Sequence, residues 1–82
     1  MRFSFYVYTT CDDESEAREV AVEEAMEYVG DKTLDCRFEF ECEGREEVKD
    51  GIMAYSWLVT MHGPTDIIRE ITTLYEKDLY GT

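Results

Sequence analysis

The sequence predicts an α+β domain, a two-layer sandwich with the element order β-α-β-β-α, on three observations. Residues 2–9, 34–43 and 52–61 alternate with the period of two that marks a strand, whereas 14–29 and 64–80 repeat apolar residues every three to four positions, as helices do. Acidic, Pro and Gly residues stand at the ends of the two helical segments, where helices start and stop. Finally, 82 residues with 44% hydrophobic and 13% aromatic side chains are enough for one small core spanning 1–82, and not for two.

The first strand, β1 (2–9), sets Phe3, Phe5 and Val7 on one face and Ser4, Tyr6 and Tyr8 on the other. At Asp12-Asp13-Glu14-Ser15-Glu16 the period changes. Asp13 followed by Glu16 resembles a capping box, with acids where the helix dipole favours them. Helix α1 (14–29) then carries Ala17, Val20, Ala21, Ala25, Tyr28 and Val29 on one side and stops at Gly30. Strand β2 (34–43) places Leu34, Cys36, Phe38, Phe40 and Cys42 inward and Asp35, Arg37, Glu39, Glu41 and Glu43 outward. Residues 44–51 read as a polar connection. Strand β3 (52–61) is fairly apolar on both faces, as a central strand is, with Met53, Tyr55, Trp57, Val59 and Met61 alternating with Ile52, Ala54, Ser56, Leu58 and Thr60. Gly63-Pro64-Thr65 opens helix α2, which runs to about residue 80 with Ile67, Ile68, Ile71, Leu74, Tyr75 and Leu79 inside.

This order is that of a ferredoxin-like unit lacking its last strand. A right-handed crossover makes β1 and β2 parallel with β3 between them and puts both helices on one face. Strand β1 is then an unpaired edge without a protecting Lys or Pro. A second copy could complete the sheet there, and the expectation is a homodimer with Phe5, Tyr6 and Tyr8 at its interface.

The charge is segregated. Residues 12–50 carry sixteen Asp and Glu against five Lys and Arg, a net of −11, and all other residues together carry −1. A surface made acidic only for solubility would spread its charge over both helices. Glu16, Glu19, Glu23 and Glu27 share one side of α1, opposite the alanines, at spacings of about 4.5 to 6 Å. Such like-charged neighbours cost the helix a few tenths of a kcal/mol each, a conflict that folding alone does not require. The proposed topology also brings Asp12, Asp13 and Glu14 to the same rim as Glu43, Glu46, Glu47 and Asp50, across one central strand.

A net charge of −12 and a pI near 4.2 exclude nucleic acid and anionic membrane as direct ligands and point to a basic protein as partner. Rows of carboxylates on rigid elements imitate the line of phosphates that DNA-binding proteins grip with Lys and Arg. In size, composition and charge layout the chain resembles the small acidic phage proteins that act as DNA mimics, a class that shares neither fold nor motif. The resemblance implies an inhibitor of a basic DNA-binding protein, with a histone-like nucleoid-associated protein the most generic target. Asp12, Asp13, Glu14, Glu16, Glu19, Glu23, Glu27, Glu43, Glu46 and Glu47 are the candidate contacts. The alternative is a ferredoxin-like protein-binding or assembly module that uses the β1 edge and its tyrosines.

Signs of catalysis are lacking in the sequence. The single His62 reads as a strand-end residue, no serine sits in a nucleophile elbow, and there is no P-loop, GxGxxG or HExxH motif. The acidic run at 12–16 lacks the alternating ligands and central Gly of a calcium loop. Cys36 and Cys42, about 20 Å apart along one strand, cannot bridge each other. Both are expected as small buried side chains, with Cys11 an exposed thiol. The expectation is a non-enzymatic chain without metal or cofactor, in a reducing cytoplasm. It contains no membrane span.

Overall fold

A computed structural model describes residues 1–81. Three strands, β1 (Arg2–Thr9), β2 (Arg37–Lys49) and β3 (Ile52–His62), form one sheet of order β1-β3-β2, antiparallel at both pairings. Helices α1 (Glu14–Val29) and α2 (Thr65–Tyr80) lie together on one face of the sheet. This is the α+β arrangement expected, a partial ferredoxin-like unit with a central β3 and with β1 and β2 at the edges.

The core lies between the layers. From β1 it takes Phe5 and Val7, from β2 Phe38, and from β3 Trp57, Val59 and Met61. Ala17, Ala21, Ala25 and Val29 of α1 close on them, as do Ile67, Ile68 and Ile71 of α2. Alanine at every fourth position lets α1 approach the sheet closely, so the bulk of the core comes from the strands and from α2. One buried polar chain runs through it. The Trp57 indole N–H donates to Thr9 Oγ1 (2.9 Å), and the Thr9 hydroxyl donates in turn to the Cys11 carbonyl (2.7 Å).

Four local expectations are corrected. Gly30, at φ 59°, does end α1, but the chain then makes a 3₁₀ turn over Gly30–Asp35. Strand β2 therefore starts at Arg37, and Leu34, expected inside, is 74% exposed. Residues 44–51 are not a loose connection: β2 continues to Lys49 and turns through Asp50-Gly51 alone. Both turn residues have positive φ (46° and 82°), as a type I′ hairpin requires, and Asp-Gly is a preferred pair for it. Cys42, expected buried, is exposed, because the helices cover the edge strand only as far as Phe40, whose ring lies 4.8 Å from the Arg18 guanidinium. Leu79 is exposed too, in the last turn of α2.

Two bulges interrupt β2, the first at Glu43 and the second at Val48, between the pairs Glu47–Met53 and Lys49–Ile52. Cys42 faces Trp57 and Gly44 faces Ser56, so Glu43 is an extra residue with no partner of its own. A strand's side chains alternate, so one extra residue exchanges the faces beyond it. Phe38, Phe40 and Cys42 share the helix side with their partners Met61, Val59 and Trp57. After the first bulge, Arg45 and Glu47 lie opposite Tyr55 and Met53 on that side. The hairpin also outruns β1, whose last residue, Thr9, pairs with Tyr55, so Glu46, Glu47 and Lys49 extend past the third strand.

Candidate functional site

Two surfaces collect the acidic residues, one on each side of the molecule. The first is the outer side of α1. Asp13 caps the helix as expected, its side chain accepting from Ser15 N (2.9 Å). Glu16 does not complete a capping box. Its carboxylate reaches farther back, accepting from Thr10 N (3.3 Å), Thr10 Oγ1 (3.4 Å) and the Cys11 thiol. The hydrogen bond from Cys11 is the main cause that holds the Glu16 carboxyl below its ordinary range. The same bond, aided by desolvation and neighbouring carboxylates, pushes the Cys11 thiol from its ordinary 9.0 to about 11. Glu16 is thus partly withdrawn into loop closure, and the exposed row on α1 is Glu19, Glu23 and Glu27. Val22 and the exposed Met26 run alongside it. Glu24, at its margin, is half-buried, and burial followed by repulsion from Glu27 raises its carboxyl pKa.

The second surface is the face of the sheet that no helix covers. Register places Ser4, Tyr6 and Tyr8 of β1, Ala54, Ser56, Leu58 and Thr60 of β3, and Glu39, Glu41, Gly44 and Glu46 of β2 on it. The bulge residue Glu43 belongs there as well, since its Oε1 accepts from the Tyr6 hydroxyl at 2.8 Å, across the central strand. That bond and the charge of Glu43 raise the Tyr6 pKa above its ordinary value. Glu39 stands between Arg37 (3.6 Å) and His62 Nε2 (3.0 Å) at the basic end of this face.

The rim cluster expected from the topology is divided. Thr9 and Arg45 face the same Tyr55 from opposite edges, so the ends of β1 and of this part of β2 do lie one strand apart. From there Asp12, Asp13 and Glu14 turn up into the helix layer, while Glu43 and Glu46 point to the open face. Glu47 takes the helix side by register and accepts from Gly51 N (3.3 Å), which braces the hairpin turn. Of the residues expected at a dimer contact, Tyr6 and Tyr8 are 50% and 66% exposed. Phe5 is corrected: at 4% exposure its side chain belongs to the core, and only its backbone lies on the β1 edge.

Few of these charges are neutralised. Among the described residues, only Glu14, Glu39 and Glu70 have a cationic side chain within 4.0 Å. No group of three or more His, Cys, Asp and Glu comes together there in a way that could hold a metal ion, and no described helix is long and apolar enough to cross a membrane. Sequence reasoning missed the residues that shape the open face, Gly44, Ala54 and Ser56; the Asp50-Gly51 turn signals the hairpin, but counted back from it an unbroken ladder would pair Gly44 with Trp57, and only the shift between Glu47 and Lys49 sets Gly44 opposite Ser56. No family model matches the chain, and no curated protein or solved structure is significantly similar to it.

Proposed function

We propose that the protein is an acidic decoy that occupies the DNA-contacting surface of a basic DNA-binding protein and so inhibits its DNA binding. The observation that carries this reading is the arrangement of unneutralised carboxylates in rows on regular elements. Glu19, Glu23 and Glu27 stand about 6 Å apart along α1. Glu41 and Glu43 stand about 7 Å apart along β2, and Glu46 continues that row, while Glu39 at its other end is paired with Arg37 and His62. Both spacings are close to that of neighbouring phosphates on a nucleic-acid strand. A partner that reads backbone charge with Lys and Arg, with little base readout, meets the same pattern. Because the rows stand on hydrogen-bonded elements, binding orders little besides side chains.

The test is binding to a histone-like nucleoid protein across a salt series, with duplex DNA as competitor and a neutral protein as control. The decoy predicts displacement by DNA and affinity that falls by about tenfold or more between 50 and 200 mM salt. The triple variant Glu19→Gln, Glu23→Gln, Glu27→Gln should bind more weakly while unfolding at the same temperature as wild type or higher, since like-charge repulsion is relieved. Binding that ignores salt and DNA would refute the reading.

A second reading has its own observation, the unpaired edge of β1 beside exposed Tyr6 and Tyr8. In this reading the chain is an assembly module in which two copies join their β1 strands into one six-stranded sheet. Its association survives high salt and is weakened by Tyr6→Ser and Tyr8→Ser, which sedimentation at several concentrations would detect.

A further inference from the structure

The open sheet face is not flat. Where Tyr8, Ser56 and Gly44 lie side by side across the three strands, and Ala54 and Glu46 pair one step beyond, there is a trough of about 370 Å3. Its floor is made of the smallest side chains on the face. A Cβ at Gly44 would lie 3.3 Å from Ser56 Oγ, and the Ser56 hydroxyl donates to the Gly44 carbonyl (3.5 Å), which keeps the floor low. One wall is aromatic, Tyr6 and Tyr8, and the other is β2 with Glu46 and, at the outer edge, Arg45. The Tyr6–Glu43 bond closes one end and fixes the Tyr6 ring. The other end is open, where the hairpin runs past β1.

We propose that this trough is the anchoring pocket for one arginine side chain of the basic partner. The inference rests on the decoy reading for the existence of such a partner and adds the place and the chemistry of its main contact. An arginine combines a long aliphatic stem, which suits the low floor of Ala54 and Ser56, with a flat guanidinium that stacks on a phenol ring. Tyr8, 66% exposed, offers that ring. Glu46 makes no ion pair among the described residues, and its carboxylate can accept the forked pair of N–H donors. Glu43 adds negative charge at the closed end. The carboxylates of Glu43 and Glu46 outweigh Arg45 at the outer edge and select a cation, and the aromatic wall favours guanidinium over ammonium.

The test titrates the isotope-labelled protein with a glycine pentapeptide carrying one arginine, and with its citrulline and lysine counterparts, followed by backbone amide shifts. Shifts centred on Gly44, Ala54, Ser56 and Tyr8, absent with citrulline and smaller with lysine, support the pocket. Ala54→Leu, which fills the floor from a half-buried position on the open face, should remove them, as should Tyr8→Ser. Equal shifts with citrulline, or shifts that survive both variants, overturn it. The decoy reading fails separately. If Ala54→Leu binds the histone-like protein as tightly as wild type while the α1 triple variant does not, the pocket is wrong and the decoy stands. If no basic protein binds but the arginine peptide still shifts the trough, the pocket stands without the decoy. When both hold, Ala54→Leu weakens binding to the histone-like protein about tenfold, the scale of one desolvated cation–π and carboxylate contact.

Discussion

Replacing Thr9 with Val tests how much stability comes from the buried hydroxyl chain that ties β3 to the end of β1 and to the loop leading into α1. Thr9 and Trp57 are 3% and 5% exposed, and the Thr9 hydroxyl both accepts from the indole and donates to the Cys11 carbonyl. Valine has nearly the same shape, so Thr9→Val leaves no cavity and removes only the hydrogen-bonding atom. The Cys11 carbonyl lies on an exposed residue and can turn to water, whereas the indole N–H cannot. Leaving one buried donor unsatisfied costs about 1–3 kcal/mol. In a domain of this size each kcal/mol lowers the melting temperature by about 4–8 °C, so a fall of roughly 5–20 °C is expected. Thermal unfolding followed by far-ultraviolet circular dichroism measures it. Trp57→Phe removes the donor, and in that background Thr9→Val should cost much less, a coupling readable from a double-mutant cycle. A melting temperature within about 2 °C of wild type, or additive effects in the cycle, would show that the bond carries no stability.

Further outcomes follow from close contacts. With Cys36 and Cys42 replaced by Ala, Glu16→Gln should speed alkylation of Cys11 at pH 8 by about tenfold. The thiol rises from 9.0 to about 11 mainly because Glu16 accepts its proton. Returning it lifts the thiolate fraction about 100-fold, and lower intrinsic nucleophilicity gives back about a factor of ten. Gly63→Ala should destabilise the fold, since the new Cβ would lie 2.6 Å from Cys36 Sγ, and Cys36→Ala should restore most of the loss, as chemical denaturation would show. Gly51→Ala, at φ 82° with nothing within 4 Å, should cost about 1 kcal/mol through backbone conformation alone. Tyr28 donates to Asp78 (2.8 Å), a bond that with burial raises the phenol to about 12. Its folded pKa lies above the unfolded value of 10.0, so its contribution is complete below pH 10 and is lost as pH rises through 12. Tyr28→Phe should remove that part of the alkaline fall in denaturant midpoint.

Local pattern explains which residues of each element face the core. Phe5 and Val7 against Tyr6 and Tyr8, the alanines of α1 and the isoleucines of α2 are all sorted by a period of two or 3.6, and a period is a property of neighbours in the chain. The exposed row Glu19, Glu23 and Glu27 was legible for the same reason. Glu16 was not, because whether a first-turn carboxylate caps its own helix or the preceding loop depends on where Thr10 and Cys11 come to rest. The hairpin was legible in Asp50-Gly51, the one strong turn signal in the chain, yet the density of charge over 44–50 conceals a strand whose two faces are both wet.

The sequence by itself determined an α+β order of elements, the part of the core built from Phe5, Val7, the α1 alanines and the α2 isoleucines, and a charge of −12 concentrated in residues 12–50. Tertiary structure decided how those charges are shared between two faces. One unpaired residue, Glu43, exchanges the faces of β2 from Gly44 to Glu47, where Val48 shifts the register again, and so sends Glu46 to the open sheet and Glu47 to the helix side. Pairing with β3 fixes where that extra residue falls, and such pairing is a contact between distant parts of the chain. The trough behind the Tyr6–Glu43 bond has the same origin: its residues come from three strands, and only the register of the sheet sets Tyr8, Ser56 and Gly44 side by side.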